Sequence, residues 1–161
     1  MTGRTRAGAA VAASVAVSGL LAVGAAAVAA RSAGRADSGT IYAATTHTSG
    51  GYAFAAGQGT DKLFGPIAIT YRIKAIPAGT TGTLNLTIKP VIEYTATGSL
   101  LGSATATLTL GPNGAEAISN GKFSLTHGVG ALRGHTIKGT FTGTGNTTAN
   151  MLVIHSKSTY K

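Results

Sequence analysis

From residue 67 to residue 75 the chain alternates without a break: Ile67, Ile69, Tyr71, Ile73 and Ala75 against Ala68, Thr70, Arg72 and Lys74. A period of two with one apolar face is a half-buried strand. After a turn at Pro77 to Gly82 the pattern resumes. Leu84, Leu86, Ile88, Pro90, Ile92, Tyr94 and Ala96 take one face, and Asn85, Thr87, Lys89, Val91, Glu93 and Thr95 the other. Pro90 inside that run predicts an edge, a bulge or a bend, because proline has no N–H to give a neighbouring strand. Gly98 turns the chain. Leu100, Gly102, Ala104, Ala106, Leu108 and Leu110 then share one face, and the small residues at 102, 104 and 106 fit a crowded barrel interior.

Weaker patterns flank this centre. Residues 40–47 and 52–57 have strand composition and are divided by Gly50 and Gly51, while residues 34–39 form a short polar leader. Downstream, Gly111-Pro112-Asn113-Gly114 is a turn. Asn120-Gly121 predicts a two-residue hairpin between strands 115–119 and 122–126, since both residues accept a positive φ. Residues 132–141 and 151–160 form a last pair joined through Gly143 to Asn146. Glycines 128, 130, 134, 139, 143 and 145 are too closely spaced for a helix, where each interior glycine costs about 1 kcal/mol against alanine. They suit strands that bend or let another backbone come close. The expectation is an all-β domain, a single antiparallel up-and-down β-barrel of about eight strands. A Greek-key sandwich is the alternative.

The first thirty residues follow a different pattern. Arg4 and Arg6 precede an uncharged run of 24 residues, 7–30, rich in Ala and Val, and Val28-Ala29-Ala30 is an A-x-A-like cleavage site, with a later one at Ala36. That is the layout of a secretory signal peptide with an N-terminal signal helix. The run is also long enough to span a bilayer as an uncleaved anchor. The expected organisation is signal and leader over 1–36 and barrel over 37–161, with the protein secreted.

The chain has no cysteine, so neither a disulfide nor a lipobox is available. Net charge is +9. The bases from Asp37 on are spread singly, without the clustering or interleaved aromatics of a nucleic-acid binder. The expectation is no nucleic-acid partner and only weak attraction to anionic surfaces.

His47, His127, His135 and His155 show no metal-ligand spacing, so neither metal nor cofactor is expected. The acids are Asp37, Asp61, Glu93 and Glu116. The strand register puts Glu93 outward beside Lys89, and only a bulge at Pro90 would turn it inward to act as an acid or base. No serine sits in a G-x-S-x-G elbow, and Gly128-x-Gly130 does not open a helix that could hold phosphate. No catalytic residue is assigned. Tyr71 and Tyr94 fall in the apolar register with Ile69, Ile73, Leu86 and Ile92. These six are the candidate lining of a barrel cavity, with the two tyrosine hydroxyls orienting a lipophilic ligand.

The stretch from His127-Gly128-Val129-Gly130 through Gly134 and Lys138-Gly139-Thr140-Phe141-Thr142-Gly143 to Lys157-Ser158-Thr159-Tyr160 resembles the C-terminal half of the allene oxide cyclase-like and dirigent-like barrels. The likeness covers residues 62–161 and is carried by glycine punctuation. It implies an eight-stranded barrel with an apolar cavity, assembled as a dimer or trimer. Plant members of those families cyclise a fatty-acid epoxide or steer the coupling of phenolic radicals; no catalytic residue of theirs is carried over to this chain. The function expected is an exported barrel that binds a small hydrophobic ligand. Two alternatives are a cofactor-free cyclase or isomerase using the same cavity, and a structural or adhesive module acting through a threonine-rich outer face.

Overall fold

A computed structural model describes residues 34–161. The expected signal helix lies outside the described residues. Eight strands run in chain order: β1 (Arg35–Ser49), β2 (Tyr52–Asp61), β3 (Gly65–Pro77), β4 (Thr83–Thr95), β5 (Gly98–Leu110), β6 (Ala115–Gly130), β7 (Ile137–Asn146) and β8 (Met151–Tyr160). Each pairs antiparallel with the next, and β8 closes on β1. The up-and-down barrel is therefore the fold, and the sandwich is not. Among the described residues no helix is long and apolar enough to cross a membrane.

Three local expectations are corrected. The polar leader 34–39 is not outside the barrel. Arg35 to Gly39 open β1 and pair with Tyr160 to Ser156 of β8, which is what closes the cylinder. Pairing with a strand distant in sequence leaves no local pattern to read. Asn120-Gly121 does not turn the chain either. β6 runs straight through it, and the register shifts there against both β5 and β7. Asn120 takes its positive φ of 53° as the extra residue of a β-bulge. The last turn lies at residues 147–150, beyond Asn146, and Leu132 belongs to the 131–136 turn and not to β7.

The glycines of the last third hold rings against the wall. A Cβ on Gly121 would run into the Phe141 carbonyl and lie 2.6 Å from its ring; one on Gly139 would run into the Lys157 carbonyl and lie 2.8 Å from the Phe123 ring. With no Cβ at either place, Phe141 comes close to Gly121 and Phe123 to Gly139, the two ring centroids 6.4 Å apart.

The most deeply buried part of the core fills one end of the barrel. Leu100, Leu125, Leu132 and Tyr160 are fully buried there. Leu132 comes from the 131–136 turn, and Leu63 and Phe64, from the turn after β2, pack against the same core. The Tyr160 ring is met edge-on by Phe64 at 5.4 Å and stacked by His135 at 4.9 Å. This end is plugged. The other end is open.

Candidate functional site: an apolar cup with a carboxyl floor

The site begins with a change of parity in β4. Tyr71 pairs with Val91 and Ile73 with Ile88, so Lys89 and Pro90 together stand opposite Arg72 alone. On the other side the same two residues stand opposite Ser103, between the Ala104–Ile88 and Gly102–Val91 pairs. One extra residue on β4 reverses every side chain beyond it. Arg72 clasps the bulge from outside, its Nε donating to the Lys89 carbonyl at 3.0 Å while its guanidinium lies 4.5 Å over the Tyr52 ring.

The expected outward face for Glu93 is therefore corrected. Leu86, Ile88, Val91 and Glu93 face inward, and Glu93 is 8% exposed. Ile92 and Tyr94, expected to line the cavity, turn outward, and Tyr94 is 43% exposed. The other four candidates, Ile69, Tyr71, Ile73 and Leu86, stay on the cavity wall.

That cavity is a narrow pit of about 80 Å³, walled by Ile41, Ile88, Ala104, Phe123, Phe141 and Leu152 among others. Its polar lining comes from Glu93, Tyr71 and Ser156. Tyr71, Ile73, Leu86, Ile118 and Leu152 also line a wider mouth of about 370 Å³, where Glu116 and Asn146 stand. Pit and mouth together make a cup. Burial and the nearby charge of Glu116 raise the Tyr71 hydroxyl to about 12, so it stays protonated and can donate.

At the floor, Glu93 Oε1 is buried with no hydrogen-bond partner. Removal from water, with smaller contributions from Asp61 and Asp37, raises its carboxyl to about 7. Those two acids are also buried, on the first two strands. Asp61 Oδ1 accepts from the amides of Leu63 and Phe64 at 2.8 and 2.9 Å, fixing the turn that plugs the barrel. Asp37 Oδ1 accepts from Ser38 N at 2.8 Å, and its Oδ2 lacks a donor. Burial and a side-chain hydrogen bond to Asp37 raise Asp61 to about 7. A proton on Asp61 gives Asp37 the donor it otherwise lacks.

The histidines stay apart. His47 stacks on Phe54 at 4.4 Å, His155 meets Thr40 Oγ1 at 3.2 Å, His127 meets Thr126 Oγ1 at 3.0 Å, and His135 packs on Tyr160. Among the described residues no three His, Cys, Asp or Glu side chains converge as a metal site.

A second concavity, about 1010 Å³, is shallow and polar. Along it Lys122 pairs with Thr140 and Thr140 with Lys157, all three outward, with Lys62 and His155 nearby. It is larger than the cup, but its threonine and lysine surface offers little to exclude water. The enclosed apolar walls make the cup the better chamber for a small molecule.

No family model, curated protein or solved structure matches this chain. The reading of function rests on the site alone.

Of the six residues expected to line a cavity, Ile69, Tyr71, Ile73 and Leu86 face it; Glu93 was expected outward, with a bulge at Pro90 as the one way inward. Pro90 was the available signal for Glu93. For Asp37 there was none, because it lies in a strand that exists only by pairing with β8.

Proposed function

We propose that this is an exported barrel that binds a small, largely apolar molecule in its cup. The observation that carries the reading is the partnerless Glu93 Oε1 at the bottom of a largely apolar pit. A buried polar atom without a partner costs about 1–3 kcal/mol. Folding leaves that cost standing here, and a ligand with a matching polar group relieves it. The pit has room for a chain or a small ring, and the mouth, within the usual range of ligand pockets, takes the rest. The resemblance to the allene oxide cyclase-like and dirigent-like barrels is in keeping with this cup and adds no residue to it.

Export accounts for the N-terminal pattern. Cleavage after Ala30 would leave β1 whole, whereas cleavage after Ala36 would strip Arg35 and Ala36, which pair with Tyr160 and Thr159. Native mass spectrometry of protein recovered from culture medium tests both points. The expected spectrum shows a chain beginning at Arg31 and carrying an extra mass that leaves on mild activation. The extra mass should be absent from Ala104→Phe, which fills the pit. A bare polypeptide mass for the natural protein would overturn the cup reading and favour a module acting through the outer threonine–lysine face.

A second reading has its own observation. A carboxyl raised to about 7 is protonated often enough near neutrality to serve as a general acid. In a cofactor-free cyclase or isomerase the walls would hold the substrate in a reactive shape and Glu93 would supply the proton.

A further inference from the structure

The chain contains only four acidic residues, and all four face the barrel interior. Asp37, Asp61 and Glu93 are buried, and Glu116 stands at the mouth. The ten lysines and arginines among the described residues are distributed in the opposite sense. None lines the pit or the mouth, and no histidine does either. Cross-strand neighbours would have allowed the usual solution, an outward acid beside an outward base. The fold instead keeps its negative groups inside and its positive groups outside.

Such an interior discriminates by charge. An anionic ligand would meet Glu93 in the pit and Glu116 at the mouth, with Asp61 and Asp37 acting through their charge on Glu93, and no cation. A neutral hydroxyl could accept from protonated Glu93 or donate to its carboxylate, but it brings no charge and would leave the repulsion among Glu93, Asp61 and Asp37 unchanged. A ligand carrying a basic nitrogen does more. In the pit a single proton lies between the nitrogen and Glu93 Oε1, so the pair is net neutral wherever the proton sits. The positive end also lies on the side of the barrel where the aspartates are. Burial of an ion pair is costly when both partners must leave water. Here the carboxyl has already been desolvated by folding, so only the ligand's nitrogen is newly stripped.

Resting on the cup reading, we propose that the molecule it takes is an amphiphilic amine, with its nitrogen against Glu93 Oε1, its apolar body along Ile69, Ile88 and Phe141, and its far end in the mouth. Glu116 there would hold the first encounter by its charge.

The experiment compares three probes of the same length by titration calorimetry at pH 7.5 on the secreted protein: octylamine, 1-octanol and octanoate. Octylamine should bind at least about tenfold more tightly than 1-octanol, a difference of 1.4 kcal/mol, and octanoate should bind more weakly than either. In Glu93→Gln the preference for octylamine over 1-octanol should vanish while 1-octanol still binds. Equal or tighter binding of 1-octanol in the natural protein would overturn the amine inference and leave the cup reading standing. An octylamine preference that persists in Glu93→Gln would overturn it as well, by placing the nitrogen elsewhere. If none of the three probes binds, the cup reading falls and the inference goes with it.

Discussion

Replacing Glu93 by glutamine tests the buried floor directly, because it removes the charge and keeps the shape. Folding raises the Glu93 carboxyl from 4.5 to about 7. At about 1.4 kcal/mol per pH unit, ionising it in the barrel is harder than in the unfolded chain by about 3 kcal/mol. The sign follows from proton counting. Below pH 4.5 the group is protonated in both states and imposes nothing. Between 4.5 and 7 the unfolded chain loses its proton while the barrel keeps it, so stability falls as pH rises. Above 7 the whole difference has been lost. Asp61, raised from 3.8 to about 7, pushes in the same direction. The natural protein should therefore be more stable at pH 5 than at pH 8. Glu93→Gln should match it within about 1 kcal/mol near pH 4.5 and exceed it by as much as about 3 kcal/mol at pH 8. For a domain of this size that is a gain of roughly 10 °C in Tm. Thermal and urea unfolding of both proteins from pH 4 to 9 measures it. A natural protein whose stability is flat or rising from pH 5 to 8, with the variant tracking it in parallel, would refute the burial and the reasoning built on it.

Three further substitutions probe the frame around the cup. Gly121→Ala puts a methyl group 2.6 Å from the Phe141 ring and harder still against its carbonyl, so the urea midpoint should fall by the equivalent of about 1–3 kcal/mol; an unchanged midpoint would mean that the ring is not seated there. Leu132→Ala empties a fully buried position in the plug and should cost about 2–5 kcal/mol in the same assay. A cost under 1 kcal/mol would place Leu132 outside the core. Tyr94→Ser, on the outer wall, should leave 1-octanol affinity unchanged and shift stability by no more than about 0.5 kcal/mol. A loss of octanol binding would return Tyr94 to the cavity and remove the β4 bulge from the argument.

The strands themselves were legible in the residue pattern. Alternation over 67–75, 84–88 and 100–108 holds in the barrel, and the small residues at 102, 104 and 106 face a crowded interior. Those features are local: an apolar face and a turn are written in neighbouring residues, and the same residues form them wherever the strand is placed. The parity of a strand after an irregularity is not local. Nothing in β4 alone says whether Lys89-Pro90 bends the strand or adds a residue to it, yet that choice puts either Tyr94 or Glu93 into the cup. It was decided by Arg72 and Ser103, one on each neighbouring strand, which leave room for two residues where one would keep the register. Asn120-Gly121 is the same case. Its chemistry suits a hairpin or a bulge, and pairing with β5 and β7 on both sides made it a bulge. Closure was decided further away still, by β8 reaching residues 35–39, which look like a mobile leader until a partner is found for them. Neighbouring residues alone specify that this chain makes an all-β domain with an apolar side to most of its strands. Only the closed sheet determined that all its acids lie inside, because the direction of a side chain depends on every register set before it around the barrel.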